Sequence, residues 1–91
     1  MQKVYYYVGS NNTTKKLEIE KIEKIVAAHF EGFTASEVIG YWRGNKERSL
    51  KVEIITDINP AEIARIAREL KAKLDQESIM VEIIDSNCMF I

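Results

Sequence analysis

Apolar positions along the chain follow two periods, and the switches between them mark out six elements. Residues 3–9, Lys-Val-Tyr-Tyr-Tyr-Val-Gly, are rich in β-branched and aromatic side chains and read as a first strand. Gly9-Ser-Asn-Asn-Thr-Thr14 is a polar turn cluster. From Leu17 the apolar residues recur every three to four positions, at Ile19, Ile22, Ile25, Val26 and Phe30. That spacing predicts an amphipathic helix over 17–30, ended at Glu31-Gly32 with Gly32 as a left-handed cap. Glu18–Lys21 and Glu20–Lys24 line its wet side, each pair worth only ~0.2–0.5 kcal/mol, whereas burying Ile22 or Ile25 stabilises by ~1.5–3 kcal/mol. Packing therefore decides this helix.

Alternation resumes over about 35–43 and 47–56, two strand-like runs that meet at Gly44-Asn45. Both of those residues tolerate positive φ, so they suit the centre of a two-residue hairpin turn. Such a turn sets Arg43 opposite Lys46, Trp42 opposite Glu47, and Gly40 opposite Ser49. Ile39, Tyr41, Leu50, Val52 and Ile54 then share the face to be covered by helices. Val38, Gly40, Trp42, Glu47 and Ser49 share the other face with Lys51, Glu53 and Ile55. Asn59-Pro60-Ala61-Glu62 starts a second helix: Asn59 caps, Pro60 takes the first helical position and Glu62 completes a capping box. Ile63, Ile66, Ala67, Leu70 and Leu74 form its apolar stripe, and Asp75-Gln76-Glu77-Ser78 breaks it. Ile79–Asp85 reads as a fourth strand, with Ile79, Val81 and Ile83 facing one way and Met80, Glu82 and Ile84 the other. The tail, 86–91, ends in Cys88-Met89-Phe90-Ile91.

The order β-α-β-β-α-β predicts an α+β, ferredoxin-like fold: a four-stranded antiparallel sheet with both helices on one face. Right-handed crossovers put strands one and three at its centre. The end of strand one and the starts of strands two and four are expected at one pole. Asn11, Asn12, Thr34, Gln76, Glu77 and Ser78 should gather there, with the Trp42–Glu47 hairpin tip at the opposite pole.

Composition narrows the setting. Ninety-one residues make a single domain, 1–91, large enough for one modest core. No apolar run approaches the ~20 residues of a membrane helix, and Met1–Tyr5 has no apolar signal core. Cys88 is the one cysteine, so no intrachain disulfide forms. The expectation is a cytoplasmic protein that engages no membrane. A formal charge of −1, with no cluster of Lys and Arg, argues against nucleic acid as a partner.

Two places could hold chemistry. The first is the open sheet face, with Tyr5 and Tyr7 beside Trp42, Glu47 and Ser49. Its aromatic residues and Met80 are types enriched at interfaces, so the first expectation is a homo-oligomer formed through this face and the apolar tail. RNA-recognition modules of this fold stack bases on central-strand aromatics, but here strand three offers Ser49, Lys51, Glu53 and Ile55 outward and no aromatic. The second place is the polar pole: Asn11 and Asn12 on one side, Gln76, Glu77 and Ser78 on the other. Gly9-Ser-Asn-Asn ahead of a helix resembles a phosphate cradle, yet it lacks a GxGxxG or GxxxxGK[ST] pattern, and a plain turn is the favoured reading. His29, the one histidine, lies in the apolar run of the first helix with no Cys or acid at metal spacing, and reads as a packing residue. Cys88 reads as a small apolar residue. No metal site, cofactor motif or nucleophile constellation is present in the sequence.

Four short motifs carry a resemblance: Phe30-Glu-Gly-Phe-Thr34, Gly40-Tyr-Trp42, Glu47-Arg-Ser49 and Gln76-Glu-Ser-Ile79. In this order they resemble a family of small bacterial and phage proteins of unknown function, over about residues 4–84. Tyr41-Trp42-Arg43-Gly44 with Glu47 is more loosely similar to the hairpin of CutA-type proteins, which implies this fold and a homo-oligomer. Together these readings lead to a non-enzymatic protein that binds a small polar or anionic ligand, or a protein partner, near Trp42, Glu47 and Ser49. The alternatives are a small enzyme of dimeric α+β-barrel type with Glu47 or Glu77 as acid–base, and a pure assembly module.

Overall fold

A computed structural model describes residues 1–91. Its elements are β1 (Gln2–Gly9), α1 (Ile19–Ala27), β2 (Thr34–Trp42), β3 (Asn45–Thr56), α2 (Pro60–Lys73) and β4 (Met80–Asp85). The strands form one antiparallel sheet in the order β2-β3-β1-β4, so the fold is the ferredoxin-like α+β arrangement, with β1 and β3 central.

The two faces of the sheet differ as the alternation predicts. Val4, Tyr6 and Val8 of β1 and Leu50, Val52 and Ile54 of β3 are buried. They meet Ile22, Ile25 and Val26 of α1, and Ile63, Ile66 and Leu70 of α2, in one core. Tyr6 is the one large polar side chain in it. Its hydroxyl donates to the Ile63 carbonyl at 2.8 Å, which satisfies the phenol inside the core. Burial pushes the phenol up to about 12.

Both helices are set by local chemistry at their ends. The Asn59 side chain accepts from the Glu62 N–H at 2.9 Å, with Pro60 at the first helical position. The capping box is half made, because the Glu62 carboxylate turns to Arg65 instead of reaching back. That guanidinium is the main reason the Glu62 carboxyl lies below its ordinary range. At the other end, Asp75 takes a positive φ of 49° and the Gln76 N–H bonds back to the Lys71 carbonyl at 3.0 Å, a Schellman-type closure. The first helix is shorter than predicted. It stops at Ala27, although Leu17 and Phe30 still pack on the core. Gly32 is not a left-handed cap, since Gly44 is the only glycine with positive φ. Instead the His29 and Phe30 N–H groups both close onto the Val26 carbonyl.

The hairpin turn lies one residue earlier than predicted. Its central residues are Arg43 (φ 50°) and Gly44 (φ 79°), and Trp42 pairs with Asn45, Gly40 with Glu47 and Val38 with Ser49. A two-residue turn of this hand needs positive φ at both centres and favours glycine in the second, which Gly44 fills here. Partners along the ribbon shift by two residues, an even number, so every side chain keeps its predicted face. Ile39 and Tyr41 do lie on the helix side, yet they are 56% and 71% exposed. The ribbon carries them past the end of β1, whose last pair with β3 is Gly9–Ser49.

That projection also corrects the poles. Because β2 and β1 both run antiparallel to β3, they are parallel to each other and end at the same pole. The hairpin tip therefore sits beside the end of β1 and the start of β4. Thr34, at the start of β2, lies towards the other pole, where its pair Glu53 faces Tyr5.

Candidate functional site

The loop after β1 folds onto the end of α2 through side chains, and this builds the floor of the pole. Asn11 is buried, and its Oδ1 accepts from the Thr13 and Thr14 N–H groups at 2.8 and 3.0 Å. The remaining backbone N–H groups of this loop are also spent internally. Asn11 bonds to the Lys16 carbonyl, Asn12 to the Asp75 carbonyl, Lys15 to the Asn11 carbonyl and Lys16 to Thr14 Oγ1. The loop therefore offers no phosphate cradle from Asn11 to Lys16, and Asn11 serves the loop itself. Thr13 Oγ1 donates to the Asp75 carboxylate across to α2.

Gln76 completes the join. Its Oε1 accepts from the Gly9 N–H at 3.1 Å, and its Nε2 donates to the Ser10 carbonyl at 2.7 Å and the Leu74 carbonyl at 3.2 Å. The side chain thus pairs with the backbone end of β1 where no strand is left to do so. Gly9 matters for its missing side chain. A Cβ there would collide with Glu47 Oε1, so the bare backbone lets the Glu47 carboxylate lie across the end of β1.

Above this floor, on the open side of the sheet, is a recess of about 390 Å³. Residues expected at opposite poles meet in it. Trp42, Glu47 and Ser49 come from the ribbon, and Tyr7 and Asn12 from β1 and its loop. Gln76, Glu77 and Ser78 come from the turn before β4. Tyr41 and Gly9 are the additions that the sequence reading missed. The alternation assigns Tyr41 to the core face, and the use of Gly9 shows only once Glu47 is placed. Tyr5 and Asn11 do not line the recess. Tyr5 lies further down the open face, with its ring 6.2 Å from that of Tyr7 and Lys51 Nζ 4.4 Å from its centre.

The recess is lined by both acidic and aromatic side chains. Glu47 and Glu77 are both exposed, and neither is engaged in an ion pair. Trp42 is 69% exposed, with the Arg43 guanidinium 5.6 Å from its ring centre. Such a site can stack a flat ring and accept hydrogen bonds from hydroxyl or cationic groups. Behind the ribbon, a larger recess of about 940 Å³ shares Asn12, Trp42 and Glu47 with it and adds Lys15, Lys16 and Lys46. Elsewhere the open face pairs within itself: Lys3 Nζ lies 3.1 Å from Glu53 Oε1, and that carboxylate is the chief reason the Lys3 ammonium is raised. His29 is half-buried and bonds Glu69 at 3.1 Å across the two helices, in keeping with a packing role.

No family model matches the chain, and no curated protein matches it. Solved structures do share its fold. A DUF3240 family protein from Shewanella baltica OS155 aligns with a TM-score of 0.65 and 15% identity, over 99% of this chain and 97% of that one. A phage SAM lyase in complex with S-methyl-5'-thioadenosine aligns with a TM-score of 0.61 and 20% identity, over 90% of this chain and 78% of that one. The same phage SAM lyase in its apo state gives a TM-score of 0.59 at 18% identity. At these identities the likeness extends to the fold. Neither neighbour is a CutA-type protein, and of that resemblance the fold alone is found here. The chain is thus a small α+β protein that shares its fold with a DUF3240 family protein and a phage SAM lyase.

Proposed function

We propose that this chain is a homo-oligomeric, cytoplasmic binding protein whose small-molecule ligand occupies the recess between Trp42, Glu47 and Glu77. One observation carries the reading. Residues singled out separately, on the hairpin and at the polar pole, converge on a single concave site. The chemistry of the walls refines the ligand. Two carboxylates without cation partners disfavour an anion in this recess and favour a polar ligand rich in hydroxyl groups, or a cationic one. Trp42 and Tyr7 favour a flat ring in the same molecule. A nucleoside thioether has all of these parts, and a fold neighbour is solved with S-methyl-5'-thioadenosine.

Trp42 is the only tryptophan and makes the test direct. Titration with S-methyl-5'-thioadenosine is expected to change its fluorescence saturably. Glu47→Gln combined with Glu77→Gln should weaken binding by about 10-fold or more, as lost charge-assisted hydrogen bonds would. A flat titration together with a flat calorimetric trace would refute this ligand class.

The same neighbour supports a second reading, a lyase acting on SAM with Glu47 or Glu77 as the proton-transfer group. Mass spectrometry of SAM incubated with the protein separates the two. Cleavage above a protein-free control, lost in Glu47→Gln or Glu77→Gln, favours the enzyme. Saturable binding without turnover favours the binding protein.

A further inference from the structure

The two ends of the sheet are opposite in charge and alike in bare apolar surface. One end is the projecting β2–β3 ribbon. It carries Arg43, Lys46 and Arg48 against Glu37 and Glu47, a net positive charge, together with exposed Ile39, Tyr41 and Trp42. Arg48 is paired with Glu37 inside the ribbon, whereas Arg43 and Lys46 have no carboxylate partner. The other end is β4 and the tail. β4 and the tail have no Lys or Arg, while Glu82 and Asp85 are acidic. Met80, Ile83 and Ile84 are exposed there, and the tail adds Met89 and Phe90, which are 82% and 80% exposed.

Both ends are also edges. β2 and β4 are the outer strands, and each leaves one side of its backbone without a strand partner. Unpaired edges with apolar side chains are templates for another chain. Two like ends would repel one another, since the ribbon has an excess of positive charge and β4 carries only acids. Unlike ends attract, and the apolar residues on each find cover. From this charge complementarity we infer that the occupant of each end is a second copy of this chain. The ribbon of one copy packs on β4 and the tail of the next, in a head-to-tail contact. Such a contact is heterologous, and with a rotation that returns to the first copy it builds a ring of fixed size. The inference rests on the homo-oligomer of the proposed function and assigns it a surface, different from a face-to-face pairing of open sheets. It also bears on the ligand site. The ribbon forms one wall of the recess, so the neighbouring copy that covers the ribbon helps to close it.

Charge reversal in the full chain tests this, read by native mass spectrometry with circular dichroism as a check on folding. Wild-type protein is expected as an oligomer of fixed size. Arg43→Glu with Lys46→Glu should shift the mass to that of one chain, and so should Glu82→Lys with Asp85→Lys. All four positions are exposed, so each variant should remain folded. The four substitutions combined should restore the wild-type mass, because the reversed ends again attract. An oligomer unmoved by either pair, or a four-fold variant that stays single, overturns the head-to-tail contact and leaves the homo-oligomer standing. A wild-type protein of single-chain mass overturns both.

Discussion

Tyr6 shows how far one residue can be read from its surroundings. The sequence places it in strand one with the right parity for the core, but gives no sign that its hydroxyl ends on the Ile63 carbonyl 57 positions away. Tyr6→Phe should lower the unfolding free energy by ~0.5–1.5 kcal/mol in urea denaturation, the net value of a hydrogen bond whose partners are otherwise satisfied. Its pH dependence has a definite sign. The folded phenol is raised from 10.0 to about 12, so the unfolded chain releases this proton first. Its contribution is present in full below pH 10 and is lost as pH rises towards 12. Wild-type stability should therefore fall across that window, and the Tyr6→Phe variant should fall less. Gly9 makes a different point. An added methyl meets the far end of the flexible Glu47 side chain, which can swing aside, and lies 3.2 Å from Gln76 Oε1, a side-chain end that need give only slightly. Gly9→Ala should leave the melting temperature nearly unchanged while weakening the Trp42 fluorescence response to ligand, because Glu47 has been moved.

At the scale of elements, much was legible. The period-2 and period-3.6 runs located all four strands and both helices, and Asn59-Pro60 marked the start of α2 within a residue. These signals are local, carried by residues within one or two turns of each other. Asn59→Ala should cost ~0.5–2 kcal/mol by thermal or urea unfolding, with Asn59→Asp recovering most of it. The hairpin register was less legible, for a specific reason. Moving the turn from Gly44-Asn45 to Arg43-Gly44 keeps every side chain on its face, so the hydrophobic pattern cannot tell the two apart. Only the backbone demand for glycine in the second turn position does. Gln76 was noticed as part of a motif, but its work as a substitute strand at the end of β1 depends on three backbone groups from two segments. Gln76→Ala should destabilise by ~1–3 kcal/mol, since the Gly9 N–H loses its acceptor in a partly buried place.

For the whole molecule, the arrangement of poles decides what the protein can bind. The ribbon tip, the end of β1 and the start of β4 share one pole, and this turns two weak candidate sets into one recess. The tail belongs to this scale as well. Ser86 N–H bonds to the Met1 carbonyl at 3.2 Å, but the apolar residues beyond it gain little cover within one chain. Deleting residues 88–91 should leave the helical and sheet signals of circular dichroism intact while lowering the native mass of the proposed homo-oligomer.

The elements, the faces they bury and the fold class can be read along the chain, because propensity, periodicity and capping act between near neighbours. The sequence also marked Trp42, Glu47 and Ser49 on the open face, and Gln76, Glu77 and Ser78 at the polar pole, as candidate site residues. That these residues meet is a property of the folded chain. Their meeting depends on β1 and β2 running parallel on either side of β3, and on a glycine at the end of β1 that leaves room for a carboxylate. Both are relations between segments distant in the chain, which no local pattern records.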